Sequence, residues 1–261
     1  VRILFIGDVM GKPGRKLVRD LLPRLRQERG PFDFVVANGE NAAAGFGLTE
    51  PTMRELFASG VDVLTGGNHI FDKKEFLPLL DEEPRVLRPA NYPPGVPGRG
   101  AGVFRKDGKA LAVWNLQGRA FMPPIDCPFR KAEELFAATA ERCVLLDFHA
   151  EATSEKRALA LWLDGRVSAV LGTHTHVQTS DEEVLPGGTA ALTDAGMTGG
   201  HGGAIGMTLG SVLPKLKEGL PSKFEICEAD LRLEGVLLDL DDETGRARSI
   251  ERLRLRPSED A

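Results

Sequence analysis

Six short apolar runs punctuate the 261-residue chain, at 3–6, 34–37, 61–64, 111–114, 144–148 and 169–171. Runs of this length, bounded by glycine and polar residues, read as buried strands. Between them lie stretches with helical spacing. From 13 to 29, Leu17, Leu21, Leu22 and Leu25 fall on one face with basic residues between them, and Pro13 suits a first turn. The segment 49–59 reads as a helix capped by Thr49 with Pro51 in its first turn, and 131–140 and 154–163 look helical for the same reason. Beyond about residue 222 the pattern becomes extended, with a hairpin turn at 241–245. The alternation predicts an α/β fold with a β-rich C-terminal end. No internal repeat, low-complexity tract or long linker divides the sequence, so a single domain over 1–261 is expected.

The residues that follow the runs carry the chemistry. The first run leads to Gly7-Asp8, the second to Asn38-Gly39-Glu40-Asn41, the third to Gly66-Gly67-Asn68-His69, the fifth to His149, and the sixth to Gly172-Thr173-His174-Thr175-His176. In open α/β sheets the ligand site lies outside the carboxyl ends of the strands, so five ends spread over about 170 positions can converge there. Asp8 and Glu40 offer anionic oxygen, Asn41 and Asn68 carbonyl oxygen, and His149, His174 and His176 imidazole nitrogen. Residues i and i+2 of an extended segment share a face, so His174 and His176 can point into one site. Seven mixed ligands are too many for one tetrahedral zinc and suit two divalent ions sharing a carboxylate. Singly, each residue has a plainer use: Asp8 or Asn68 in a turn, His149 as a satisfied core histidine. Their conjunction points to metal. The adjacent glycines Gly7, Gly39, Gly66, Gly67 and Gly172 permit tight turns and close backbone approach.

Composition narrows the function classes. Thirty-three Lys+Arg against 38 Asp+Glu leave a net charge of −5, which argues against extended nucleic-acid binding and against a membrane-surface role. Cys127, Cys143 and Cys227 form no C-x-x-C pair, as expected in a reducing compartment. No stretch approaches the roughly 18 apolar residues of a membrane span, and the run 3–6 is too short for a signal peptide. A cytoplasmic location is the expectation.

With these residues in order, the sequence resembles the calcineurin-like metallophosphoesterase superfamily. Gly7-Asp8, Glu40, Gly67-Asn68-His69, His149 and Gly172-Thr173-His174-Thr175-His176 follow its motifs collinearly. Two departures narrow the resemblance: Met10 stands where the superfamily usually has a histidine, and the bridging acid is Glu40 within NGEN rather than an Asp. With them the chain is similar to the bacterial 2′,3′-cyclic-nucleotide 2′-phosphodiesterase family across GDVMGKPG, NGEN, GGNHIFD, DFHAEATSEK, GTHTHVQT and TDAGMTGG. That resemblance implies a four-layer α/β/β/α sandwich of the metallophosphoesterase type. It also implies two divalent or trivalent transition-metal ions, iron first, with manganese, zinc or magnesium as substitutes. It places one ion on Asp8, Glu40, Asn41 and His176, and the other on the shared Glu40 with Asn68, His149 and His174. His69, one residue past Asn68, takes the catalytic role of proton donor to the leaving oxygen.

Two cations can bind phosphate oxygens and activate a water for attack on phosphorus. The expected activity is therefore hydrolysis of a small phosphodiester nucleotide, a 2′,3′-cyclic one by resemblance, with 3′,5′-cyclic substrates left open. Cleavage of the 2′-ester leaves a 3′-phosphate. A phosphomonoesterase or protein phosphatase uses the same core, and a regulatory or RNA-associated protein retaining the metal site is the reading from another class. Homo-oligomerisation also stays open. Asp72, three residues past His69, could orient its imidazole or cap a helix, and Thr153 or Ser154 is expected to cap the helix after His149. The segment 196–210, with seven glycines and His201, reads as a loop, either facing a phosphate or base or lying on the surface.

Overall fold

The structure, a computed structural model, describes residues 1–257. The end of the expected domain, 258–261, lies outside the described residues. The chain runs β1 (Arg2–Ile6), β2 (Asp8–Val9), α1 (Gly11–Glu28), β3 (Phe34–Asn38), α2 (Glu50–Ala58), β4 (Val63–Thr65) and, after a 3₁₀ turn at Lys74–Phe76, α3 (Leu77–Glu82). It continues through β5 (Ala101–Lys106), β6 (Lys109–Gln117), α4 (Pro128–Ala138), β7 (Val144–His149), α5 (Thr153–Trp162) and β8 (Ala169–Thr173). The last part holds β9 (Glu183–Val184), β10 (Ala190–Leu192), β11 (Met197–Gly200), α6 (Leu209–Glu218), β12 (Leu231–Leu240) and β13 (Ala247–Leu255).

All six apolar runs lie on strands, although the third starts late, at Val63. The strands form two mixed sheets. One has the order β2-β11-β12-β1-β3-β4, with β13 paired to β12, and the other the order β5-β6-β7-β8-β10-β9. The centre of each is parallel: β1, β3 and β4 in the first, β6, β7, β8 and β10 in the second. Parallel neighbours need crossovers, and the amphipathic stretches between the runs supply them.

Alternation along the strands decides what packs where. Ile3 and Phe5 of β1 and Phe34 and Val36 of β3 share one apolar cluster with Val113, Leu145 and Leu171 of the other sheet. Leu4, Ile6, Val35 and Ala37 face the opposite way, onto Leu17, Leu21, Leu22 and Leu25 of α1 and Leu56 of α2. On the second sheet, Trp114, Leu146 and Phe148 pack with Ala132 of α4 and Leu159 of α5.

The helix ends follow local chemistry, with two corrections. Thr49 is the N-cap of α2 as expected, and its N–H donates to Thr52 Oγ1 at 3.0 Å, one arm of a capping box. The N-cap of α5 is Ala152, and Thr153 is already the first helical residue, so neither Thr153 nor Ser154 caps that helix. The glycine-rich segment 196–210 is not loop throughout. Its first part is β11, which pairs in parallel with β2 and antiparallel with β12. Glycine suits this strand because a Cβ at Gly200 would overlap the Cys227 carbonyl. The hairpin turn lies where expected, closed by Gly245 N–H donating to the Asp241 carbonyl at 2.8 Å. Among the described residues no helix is long and apolar enough to cross a membrane.

Leu145, fully buried between the sheets, and Leu216, 74% exposed on α6, form an internal comparison. Leu145→Ala should cost about 2–5 kcal/mol in urea denaturation, and Leu216→Ala about 0.5 kcal/mol or less. Equal effects would contradict the packing assignment.

Candidate metal centre

The alternation that builds the inter-sheet core also builds the site. Along the inward face, Val36, Val63, Val113, Leu145 and Leu171 are each followed two residues later by Asn38, Thr65, Asn115, Asp147 and Thr173, all buried. Two residues further on, the second and fifth runs reach Glu40 and His149. Apolar packing thus gives way to a polar layer, and the polar layer to the ligand residues.

Asp147 is the hub of the polar layer. Its carboxylate accepts from Thr65 Oγ1, from Thr173 Oγ1 at 2.7 Å and from Asn38 Nδ2 at 3.0 Å. Burial pushes its pKa up to about 6 despite these donors. Thr173 gives its hydroxyl hydrogen to Asp147, so it accepts from His149 Nδ1 at 2.9 Å. His149 therefore turns Nε2 toward the site.

There, His149 Nε2 lies 2.9 Å from Glu40 Oε1, 3.1 Å from Asn68 Oδ1 and 3.1 Å from His174 Nδ1. Ligand atoms of Glu40, His149 and His174 all fall within 4.8 Å of one another. Gly67 lets the Asn68 loop approach this closely, since a Cβ there would overlap the His149 ring. On the other side of Glu40, Asn41 Nδ2 lies 3.5 Å from Glu40 Oε1 and 3.2 Å from His176 Nε2. A half-turn of that amide presents Oδ1 to the same point. His176 Nδ1 donates to the Ile205 carbonyl at 3.1 Å, which leaves Nε2 as the bare nitrogen. His176 Nε2 is 3.7 Å from Asp8 Oδ1. Asp8 Oδ2 accepts the His174 N–H at 3.1 Å, but buried Oδ1 has no hydrogen-bond partner.

All seven residues expected as ligands thus meet in one place, and the donor set fits cations. A buried carboxylate oxygen without a partner is costly unless a positive charge meets it. Two histidines are held with Nε2 inward by hydrogen bonds to Nδ1, the arrangement that orients metal-ligating imidazoles. Burial opposes charge on His149, but Glu40 outweighs it and pushes the imidazole up to about 9. Burial likewise opposes charge on Glu40, and His149 more than offsets this, holding the carboxyl down at about 2. Burial, reinforced by His149, drives His174 down to about 3, so its nitrogens stay available as neutral donors.

His69 stands at the edge of this cluster. Its N–H donates to Glu40 Oε2 at 2.9 Å, and its Nδ1 lies 2.7 Å from Asp72 Oδ2. Asp72 therefore orients the ring. Met10 is buried with Met197 and Met207 in an apolar cluster, so it joins the wall of the site rather than its ligands. His201, outside the cluster, bonds through Nε2 to the Met197 carbonyl at 3.1 Å.

The His-Thr-His turn is strained: His174 has φ +99° and His176 φ +63°. Such conformations cost on the order of 1–3 kcal/mol each for residues with side chains. Thr175 between them is pinned, since its N–H and Oγ1 donate to Asp194 Oδ2 at 3.2 and 2.8 Å. Lys156 Nζ donates to the same oxygen at 2.7 Å, in an ion pair whose side chains are 2% and 1% exposed. Sequence reading missed Lys156, Asp194, Asp147 and Thr173 as site-building residues. Asp147 carried a signal, its i−2 position to His149 on a strand.

A protein-family model described as "YmdB-like protein" matches residues 4–253. A 2′,3′-cyclic-nucleotide 2′-phosphodiesterase of Bacillus subtilis is 51% identical over 255 residues, covering 97% of this chain and 96% of that protein. A crystal structure of a hypothetical protein from Thermus thermophilus superposes with TM-score 0.92 at 45% identity, covering 98% of this chain and 99% of that one. A crystal structure described as a novel phosphatase from Mycoplasma pneumoniae gives TM-score 0.92 at 32% identity, covering 98% and 93%.

Lys156→Met leaves the Asp194 charge buried without its partner and should cost about 3–5 kcal/mol of stability. It should also weaken Mn²⁺ binding in calorimetric titration, because the His-Thr-His turn loses its anchor. Full stability with unchanged Mn²⁺ affinity would show that the ion pair does not hold the turn.

Proposed function

The chain belongs to the YmdB-like protein family, and from that footing we propose that it is a two-metal phosphodiesterase opening 2′,3′-cyclic nucleotides at the 2′-ester, with a 3′-phosphate as product. The observation that carries this reading is the seven-residue cluster around Glu40, with buried Asp8 Oδ1 unpartnered and His69 beside it. The cyclic diester substrate of the Bacillus subtilis relative favours this reading over a monoester or phosphoprotein substrate.

In this proposal Asp8, Asn41 and His176 hold one ion, and Asn68, His149 and His174 the other. Glu40 is shared. Its Oε1 lies near both halves, 2.9 Å from His149 and 3.5 Å from Asn41, while Oε2 accepts the His69 N–H. By family resemblance iron is the first choice, and the mixed nitrogen and oxygen set admits manganese, zinc or magnesium as substitutes. Two such ions, when bound, supply positive charge for phosphate oxygens and make a nucleophilic water available near neutral pH. His69, held by Asp72 through Nδ1, offers Nε2 for protonating the departing ribose 2′-oxygen. An alkoxide leaves poorly, so this proton transfer contributes about 10²–10⁴-fold. The chain is read as one domain in which helices, sheet, sheet and helices are stacked, supported by three apolar clusters that alternate in that order. A cytoplasmic setting with a small nucleotide as partner completes the reading.

Purified protein reconstituted with iron or manganese should carry about two ions per chain, and Glu40→Ala should lose both together. Elemental analysis giving one ion in the parent protein, or one retained in the variant, would overturn the shared-carboxylate assignment.

His69→Ala should keep both ions and lose about 10²–10⁴-fold on a 2′,3′-cyclic nucleotide. The loss should be far smaller on bis(p-nitrophenyl) phosphate, whose nitrophenolate leaves without help. Equal losses on both substrates would make His69 a phosphate-binding residue instead. A panel with 3′,5′-cyclic AMP and a phosphopeptide tests the ester class.

A further inference from the structure

The cleft beside the ligand cluster has two unlike walls. The residues described above line one, and Phe46, Ile205, Met207 and Phe224 line the other. Phe46 and Phe224 lie nearly parallel, ring centroids 6.4 Å apart at 27°, and the Phe46 ring meets His69 edge-on at 5.0 Å. Both rings rest on the buried Met10, Met197 and Met207. Ile205 has φ +44°, rare for a β-branched residue, and its side chain is 57% exposed while its carbonyl holds His176. The strained Ile205 segment therefore lines this wall and also holds His176 of the cluster.

In a 2′,3′-cyclic nucleotide the base hangs from C1′, next to the carbon that bears the 2′-oxygen. A phosphate seated at the ligand cluster and a leaving oxygen at His69 bring the base into this same cleft. Each polar side chain lining the cleft is already engaged: Glu40, Asn41, His174 and His176 as ligands, His69 with the leaving group. What remains along the wall is carbon, with Lys215 Nζ 5.2 Å from the Phe224 ring centroid. Aromatic faces stack on any nucleobase, because every base presents a π-face, and such stacking tolerates sequence.

We propose that Phe46 and Phe224, flanked by Ile205 and Met207, form the nucleobase subsite, a stacking wall that accepts all four bases without reading their edges. This inference rests on the cyclic-nucleotide reading of the same site. Apolar pockets discriminate weakly, whereas sites that hydrogen-bond a polar group reject analogues strongly.

The test compares 2′,3′-cyclic AMP, GMP, CMP and UMP with methyl riboside 2,3-cyclic phosphate, which has no base, on the metal-loaded protein. The four nucleotides should fall within about tenfold of one another in kcat/KM. Phe224→Ala should raise KM for all four by about 5- to 150-fold, with kcat little changed and the base-free substrate unaffected. Phe224→Leu, which keeps most of the packing volume, should lose the same preference and covers the case in which Phe224→Ala fails to fold. Calorimetry gives a readout apart from turnover: the parent should bind 3′-AMP more tightly than methyl riboside 3-phosphate, and the variants should bind them alike. Equal loss on nucleotide and base-free substrates, or a loss confined to one base, would overturn the subsite while leaving the cyclic-phosphodiesterase reading intact. If the parent hydrolyses the nitrophenyl diester but none of the cyclic nucleotides, that reading fails and the subsite falls with it.

Discussion

The buried carboxylate of Asp147 joins the two sheets at the level where apolar packing ends. Below it, Val36, Val113, Leu145 and Leu171 are held by exclusion of water alone. Above it, every contact is directional. Thr65 and Asn38 reach Asp147 from the first sheet and Thr173 from the second, so one group ties three strands to its own. The same hydrogen bonds set the orientation of Thr173, and Thr173 sets that of His149. The orientation of His149 is thus inherited, through two steps, from a residue that touches none of the chemistry. A polar network of this kind favours one structure only when every member is satisfied.

The charges of the site are arranged in opposed pairs. Glu40 and His149 stabilise each other's ionised forms, a cation at His149 Nε2 would take the place of that imidazole's proton, and burial first and the His149 charge second keep the neighbouring His174 neutral. Lys156 and Asp194 do the corresponding work beneath the His-Thr-His turn, where a buried charge without a partner would be far costlier than the pair. The site therefore holds many ionisable groups at nearly zero exposure without an unopposed cluster of one sign, apart from the Asp8 oxygen that faces inward.

Much of this was legible in the sequence because its signals are local. The strand runs, the Thr49 cap, the 241–245 hairpin and the polar residues at five strand ends each depend on neighbours within a few positions. The layer beneath was harder to see. Asn38, Asp147 and Thr173 look like ordinary strand-end polar residues until the sheets are superposed, and the Lys156–Asp194 pair joins residues 38 positions apart on a helix and after a strand. Nothing local announces that a lysine on an amphipathic helix will be buried. The start of α5 was misplaced because the two hydroxyl residues favoured as caps lie one and two residues inside the helix. The strand at 197–200 was hidden because its glycines, normally loop formers, serve close packing there.

The turn that carries His174 and His176 has a consequence for how the centre is held. The two histidines are assigned to different ions, yet they flank a single anchored residue, Thr175, in one strained segment. Thr175 is anchored through Asp194 to Lys156, so the cost of holding this turn is met in folding and not at binding. Under the proposed assignment, loosening that one anchor would be felt at both ions together, because the two histidines are carried on a single turn.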